Sequence, residues 1–153
     1  MTNPYINVAT EAAREAAGLM RKYASKLESI PIERKARADY VTEVDRACEQ
    51  VIKHHLLKYY RDHAFLGEET GKVGDSDHVW IVDPIDGTTN YLRGLGHFAV
   101  SIALQIRGRI EHGVIYDPTK EELFTASRGE GAFLNSQRIR VSGRDSLEGA
   151  VLA

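Results

Sequence analysis

The chain has 153 residues, of which 42% are hydrophobic and 27% charged, a composition typical of one globular domain with a core of its own. With 20 Lys and Arg against 22 Asp and Glu, the net charge is −2, and no basic excess indicates non-specific nucleic-acid binding. The single cysteine, Cys48, excludes an intramolecular disulfide framework and fits a reducing compartment.

The first residues show no targeting pattern. They contain no long apolar run, and Glu11 and Glu15 interrupt them, so we expect neither a signal peptide nor a transit peptide. No stretch approaches the roughly 20 apolar residues that a membrane-spanning helix needs. The sequence therefore predicts a cytoplasmic protein with no membrane partner and no direct nucleic-acid binding.

The front of the chain is predicted to be helical. Asn3 is a suitable N-cap before a proline, and apolar residues recur at helical spacing as far as about Leu27. Pro31 is expected to end this element, and a polar, basic connector follows. Thr42 is then able to cap a second helix that runs to about Tyr60.

The remainder of the chain reads as strands, because short apolar runs alternate with turn residues. The predicted strands are 64–67, 79–83, 98–106, 110–116, 122–127 and 138–141. Tight connections at 107–108 and 117–120 predict an antiparallel meander for the last strands. The prediction is a single α+β domain over residues 1–153, with two helices packed on a largely antiparallel sheet.

The segment with the most groups able to bind a ligand is residues 80–90, Trp-Ile-Val-Asp-Pro-Ile-Asp-Gly-Thr-Thr-Asn. Asp83 ends an apolar run, and the proline after it is expected to turn the chain so that Asp86 points back toward Asp83 and the Ile85 carbonyl is exposed. Carboxylates this close repel one another unless a cation compensates them. Mg²⁺ prefers such oxygen ligands, so the stretch predicts a metal site.

The same stretch also predicts an anion site. Gly87 allows a ligand to approach the backbone, and residues 88–90 have free amides if they begin a helical turn. Glu68 and Glu69, after another apolar run, add two more carboxylates. Together these groups favour metal-dependent chemistry on a phosphate ester.

Plainer interpretations exist for each motif taken alone. Asp-Pro and Asp-Gly are common in tight turns for conformational reasons, and paired glutamates are usually solvated. Residues 75–77 lack the ligand spacing of an EF-hand, and 129–131 lack the third glycine of a dinucleotide-binding loop, which favours a hairpin turn there.

The motifs in their order resemble the inositol monophosphatase family, its bacterial branch most closely. Residues 67–69 followed by 80–91 carry the resemblance, and 39–45, 98–104 and 129–135 also match segments of that family. The resemblance implies the family's layered αβαβα sugar-phosphatase fold, of which this chain would be the N-terminal portion. It also implies a homodimer.

The resemblance assigns residues one position at a time. Glu68, Asp83 and the Ile85 carbonyl match the first metal site, and Asp83 with Asp86 matches the second. The implied substrate contacts are Glu68, Ile85, Asp86, Gly87, Thr88 and Lys35, although Arg34 and Arg37 compete with Lys35 for the match. The implied catalytic residues are Glu68, Thr88 and Asp45, of which Asp45 would hydrogen-bond Thr88. A purely structural role is the alternative interpretation of Asp45, which would form a variant capping box with Thr42.

The activity implied is Mg²⁺-dependent hydrolysis of a sugar phosphate, inositol 1-phosphate, by metal-activated water, with Mn²⁺ as an alternative metal and inhibition by Li⁺. Another sugar or nucleotide phosphate is a second possible substrate. The alternative class is a regulatory role with the transcription machinery in a bacterial antitermination complex, which some relatives perform.

The family's later Trp-Asp element has no counterpart here, because Trp80 is the one tryptophan in the chain. The last five residues, Gly-Ala-Val-Leu-Ala, look like the opening of a further strand. We therefore expect the C-terminal part of the phosphatase to be missing and the chain alone to be weakly active or inactive.

Overall fold

The computed structural model describes residues 3–27 and 34–151, with side chains from residue 42 onward in the second segment. Helix α1 spans Pro4–Leu27, and Asn3 Oδ1 accepts the Tyr5 N–H at 2.9 Å, which confirms the predicted N-cap. The buried residues of α1 are Ile6, Ala9, Ala12, Ala13, Ala16, Ala17, Met20 and Leu27. The small alanines allow close packing against the next helix. Pro31 lies outside the described residues.

Helix α2 spans Arg34–Tyr59, so the prediction that it begins at Thr42 was wrong. The connector consists largely of arginine, lysine and alanine, which are strong helix formers, and nothing in it stops a helix. Thr42 therefore lies inside α2, and the capping-box interpretation of Thr42 with Asp45 is wrong as well. The buried side of α2 consists of Val44, Cys48, Ile52 and Leu56, all fully buried at helical spacing.

One eight-stranded sheet follows. Its strands are β1 Ala64–Gly67, β2 Gly71–Val73, β3 His78–Asp86, β4 Ala99–Ile106, β5 Arg109–Asp117, β6 Glu122–Ser127, β7 Gly131–Leu134 and β8 Gln137–Ile139, with the short helix α3, Thr88–Leu92, after β3. The order is β2-β1-β3-β4-β5-β6-β7-β8. β1 and β3 pair in parallel and the other neighbours pair antiparallel, which confirms the α+β class and the meander.

Strand β3 differs from its prediction in a way that matters for the site. It does not end at Asp83 but continues through Pro84 to Asp86, with a break in its register against β4 between Asp83 and Asp86. A proline is tolerated there because the irregular stretch has no regular ladder bond to lose. The turn begins only at Gly87.

The core lies between the two long helices and one face of the sheet. Alternate residues of β4, namely Val100, Ile102 and Leu104, are buried there. The other face is more open, as Ile115 of β5 shows with 47% of its surface exposed. Tyr91 ties α3 to α1, because its hydroxyl donates to the Met20 carbonyl at 2.9 Å. No helix among the described residues is long and apolar enough to cross a membrane.

Candidate metal and phosphate site

The parallel pairing of β1 and β3 creates the site. Gly67, the last residue of β1, lies opposite Val82, so Glu68 and Asp83 follow at the same edge of the sheet. Their two carboxyl groups are neighbours there, since the charge of Glu68 and hydrogen bonding to it both raise the pKa of Asp83. The parallel pairing thus brings together two residues that are 15 positions apart in the sequence.

This contact perturbs Asp83. Burial, then the charge and hydrogen bond of Glu68, then the charge of Asp86 raise its pKa from 3.8 to about 6, while the Ile85 N–H, 3.1 Å from Oδ1, acts in the opposite direction. Two acidic groups that share a hydrogen bond need either a proton between them or a compensating cation.

The turn after β3 has the features expected for close approach of a ligand. Gly87 has φ 92°, and a Cβ there would lie 3.0 Å from the His97 carbonyl oxygen and 3.3 Å from Phe98 Cα, so glycine is the residue that fits. The Gly87 carbonyl accepts the N–H groups of Asn90 and Tyr91 at 2.9 and 3.1 Å, which confirms the predicted helical turn.

The Thr88 hydroxyl donates to the Ile85 carbonyl at 2.9 Å. Two of the residues that the sequence singled out are therefore linked directly. The Thr88 hydroxyl proton is therefore not donated to Asp45. The hydrogen bond between Asp45 and Thr88 that the resemblance implies stays a prediction.

Asp45 reaches the cluster from α2. It is 7% exposed, and its Oδ1 is buried with no hydrogen-bond partner in the described part of the chain. Burial, followed by the charges of Glu69, Glu68 and Asp83, raises its pKa to about 7. Asp45 is therefore a second carboxyl group whose charged form its surroundings disfavour.

Asp86 lies on the open side of the turn. It is exposed and lines, together with Gly87, a cavity of about 480 Å³. The other lining residues are Asn90, His97, Phe98, Ala99, Ile115, Asp117, Lys120, Glu122 and Phe124. The size is that of an ordinary small-molecule site. His97 precedes β4, is exposed and faces this cavity.

The convergence of ligands is partial. Within the segments that the structure describes, no group of three or more His, Cys, Asp or Glu side chains is placed to hold a metal ion. Glu68 and Asp83 touch, while Asp86 influences Asp83 through its charge. Lys35 lies among the residues whose side chains are not described, so its role stays a prediction.

Sequence reasoning missed two residues of this region, Glu49 and Lys120. Glu49 is a fully buried carboxylate on α2, four positions after Asp45 and hence on the same helical face. The sequence feature that could have revealed Glu49 is its position next to Cys48, in the buried stripe of α2. Lys120 contributes a cation to the cavity, where it pairs with Asp117 at 3.3 Å, and no motif marked it.

The chain belongs to the inositol monophosphatase family, whose sequence model matches residues 1–153. It is 52% identical over 153 residues to the protein named Nus factor SuhB of Pseudomonas aeruginosa, a match that covers 97% of this chain and 56% of that protein. Nus factor SuhB of Escherichia coli is 45% identical, with 99% and 57% covered.

Solved structures agree with this assignment. The extragenic suppressor protein suhB from Bartonella henselae superposes with a TM-score of 0.84 at 42% identity, covering 95% of this chain and 57% of that one. Inositol monophosphatase from Anabaena gives a TM-score of 0.80 at 36% identity, with 94% and 51% covered. The chain thus spans just over half the length of the relatives it matches.

Proposed function

We propose that this chain carries the metal- and phosphate-binding part of a Mg²⁺-dependent phosphate monoester hydrolase that acts on inositol 1-phosphate and releases myo-inositol and phosphate. The contact between the Glu68 and Asp83 carboxyl groups, beside the glycine turn at Gly87, is the observation that carries the proposal. Membership of the inositol monophosphatase family supports it.

The residues of the site fit a hard divalent cation. Glu68, Asp83, the Ile85 carbonyl and Asp86 would hold it, all through oxygen, which suits Mg²⁺ or Mn²⁺. The raised pKa of Asp83 and the unpartnered buried oxygen of Asp45 are the marks of a carboxylate cluster that a positive charge would relieve. When bound, such a cation lowers the pKa of a coordinated water and neutralises charge on the phosphate.

The chain's own groups have separable tasks in this proposal. The Ile85 N–H holds Asp83 Oδ1, and the Thr88 hydroxyl holds the Ile85 carbonyl, so both oxygens are oriented before any ligand arrives. Gly87 admits the phosphate close to the backbone. Asp45 Oδ1 accepts no hydrogen bond from the described residues and is therefore free to accept one from a water bound at the site.

The sugar would occupy the cavity on the open side of the turn. Its volume of about 480 Å³ accommodates a sugar phosphate. Inhibition by Li⁺, a homodimeric assembly and discrimination against other sugar or nucleotide phosphates are further parts of the proposal that family membership supports.

The test is metal binding by the purified chain, measured calorimetrically with Mn²⁺ and Mg²⁺. We expect Asp83→Asn to weaken Mn²⁺ binding by at least about tenfold, since it removes a ligand, and Asp75→Asn, which alters an exposed carboxylate, to leave it unchanged. Equal dissociation constants for the wild-type chain and Asp83→Asn would contradict the proposal.

The relatives' name, Nus factor SuhB, favours a second candidate, a regulatory protein that binds the transcription machinery. The same Asp83→Asn variant separates the two. Capture of transcription-machinery proteins by the chain should survive this substitution if the role is that of a scaffold, whereas hydrolysis of inositol 1-phosphate by a protein that carries the substitution should not.

A further inference from the structure

Glu49 is a carboxylate with no exposure to solvent, and both of its oxygens accept hydrogen bonds from one turn. Its Oε2 accepts the Glu69 N–H at 2.8 Å, and its Oε1 accepts the Thr70 N–H at 2.9 Å. A buried carboxylate is costly unless its oxygens are hydrogen-bonded in this way. The pair of bonds ties α2 to the segment that follows β1.

Gly67 provides the space in which this carboxylate lies. A Cβ at Gly67 would overlap the Glu49 carboxyl carbon and Oε2 and would lie 2.7 Å from Oε1. No flexible tip could move aside, because the carboxylate is fixed by the two backbone bonds. A side chain at position 67 and the Glu49 carboxylate therefore exclude one another.

Glu68 lies between these two anchor points. The residue before it is held against Glu49 by close packing, and the residue after it is held by a hydrogen bond to Glu49. Arg46, one turn earlier on α2, adds an outer contact from its Nε to Glu69 Oε2 at 3.1 Å. The backbone of Glu68 is thus fixed at the edge of the sheet where its carboxyl group meets Asp83.

We propose that Glu49 and Gly67 form a lock that positions Glu68 for metal binding, with Glu49 as a positioning residue that touches neither metal nor substrate. The inference that the lock serves metal binding rests on the proposed function. The inference that Glu49 and Gly67 fix the backbone around Glu68 does not. A glutamate is required because two N–H donors need two acceptor oxygens. A glutamine offers one carbonyl oxygen and would turn its NH₂ group toward the other N–H.

The first test compares Glu49→Gln with Glu43→Gln, which alters an exposed residue of the same helix. We expect Glu49→Gln to speed amide hydrogen exchange at Glu69 or Thr70 and to weaken Mn²⁺ binding by about tenfold or more, as loss of a group that orients a ligand typically does. The control should change neither. Unaltered exchange at both amides would overturn the lock.

Hydrogen exchange and Mn²⁺ binding together distinguish failure of the lock from failure of the proposed function. If the wild-type chain binds no Mn²⁺, the proposed function fails, and exchange at Glu69 and Thr70 alone decides whether the lock exists. If the wild-type chain binds Mn²⁺ and Glu49→Gln binds it equally well, the lock does not position the ligand, whatever becomes of the proposed function.

A second pair of variants covers the case in which Glu49→Gln fails to fold. Gly67→Ala should lower the melting temperature of the wild-type chain by about 5 °C or more, because the new Cβ overlaps the buried carboxylate. In a Glu49→Ala background the overlap is gone, and the same substitution should cost much less. Equal losses in the two backgrounds would contradict the lock.

Discussion

At the scale of single residues, the candidate site is a group of acidic side chains whose charged form is disfavoured by the surrounding fold. Asp45 and Asp83 both have pKa values raised well above 3.8, chiefly through burial and then through neighbouring carboxylates. Ordinary carboxylates that serve only as solvated turn residues show no such shift. This electrostatic pattern is what distinguishes the cluster from the plain acidic turn that each motif suggested alone.

The raised pKa values make stability depend on pH in a definite direction. Because the folded pKa of Asp45 lies above its unfolded value, its contribution is fully present below about pH 3.8 and is lost as the pH rises through about 7. Without divalent cations, we expect Asp45→Asn to increase the free energy of unfolding at pH 8 by about 1 kcal/mol or more. Urea unfolding at pH 8 and pH 4 measures this.

The matched control is Asp75→Asn, which alters an exposed loop and should shift the free energy of unfolding by less than about 0.5 kcal/mol. Destabilisation by Asp45→Asn that is as large at pH 8 as at pH 4 would contradict this prediction. Added Mg²⁺ should reduce the advantage of Asp45→Asn, since a cation compensates the charge that the substitution removes.

Residue patterns predicted several residues of the candidate site, but neither their contacts nor the role of Glu49. Asp83 and Glu68 were found because each follows an apolar run, and Gly87 because it stands in a turn. Their contact could not be derived from spacing, since it depends on β1 and β3 being parallel neighbours. Glu49 was missed because a single acidic residue on a helix is normally solvated, and its backbone partners lie 20 and 21 positions away.

At the scale of elements, β3 is the organising strand. It pairs with β1 on one side and β4 on the other, its register against β4 breaks between Asp83 and Asp86, and Gly87 then turns the chain into α3. The strands β2 and β7 were missed because they have three and four residues and no alternation of buried and exposed positions. The start of α2 was missed because its first residues, Arg-Lys-Ala-Arg-Ala-Asp, include no large apolar residue that would mark a helical period.

The two faces of the sheet should respond differently to truncation. Leu104 of β4 is fully buried against the helices, so Leu104→Ala should cost roughly 2–5 kcal/mol of stability. Ile115 of the neighbouring strand is 47% exposed on the other face, and Ile115→Ala should cost less than about 1 kcal/mol. Chemical denaturation of both variants checks this, and equal losses would contradict the assignment of the core to one face.

At the scale of the whole molecule, two helices cover one face of an eight-stranded sheet, and the acidic cluster lies at an edge of that sheet. This is the part of the family fold that matches about 56% of the P. aeruginosa relative. The overall class was predictable because helical and strand periodicities occupy separate parts of the chain. The order of strands was predictable only where tight turns join neighbours.

In the proposed function, Glu68, Asp83, Ile85 and Asp86 share one divalent cation. Substoichiometric Mn²⁺, a paramagnetic probe, added to the isotopically labelled chain tests it most directly through broadening of backbone amide signals. We expect the amide signals of Glu68, Asp83 and residues 85–88 to broaden first, since Pro84 has no amide proton. Broadening that begins instead at the acidic loop of residues 75–77, or uniformly over the chain, would contradict it.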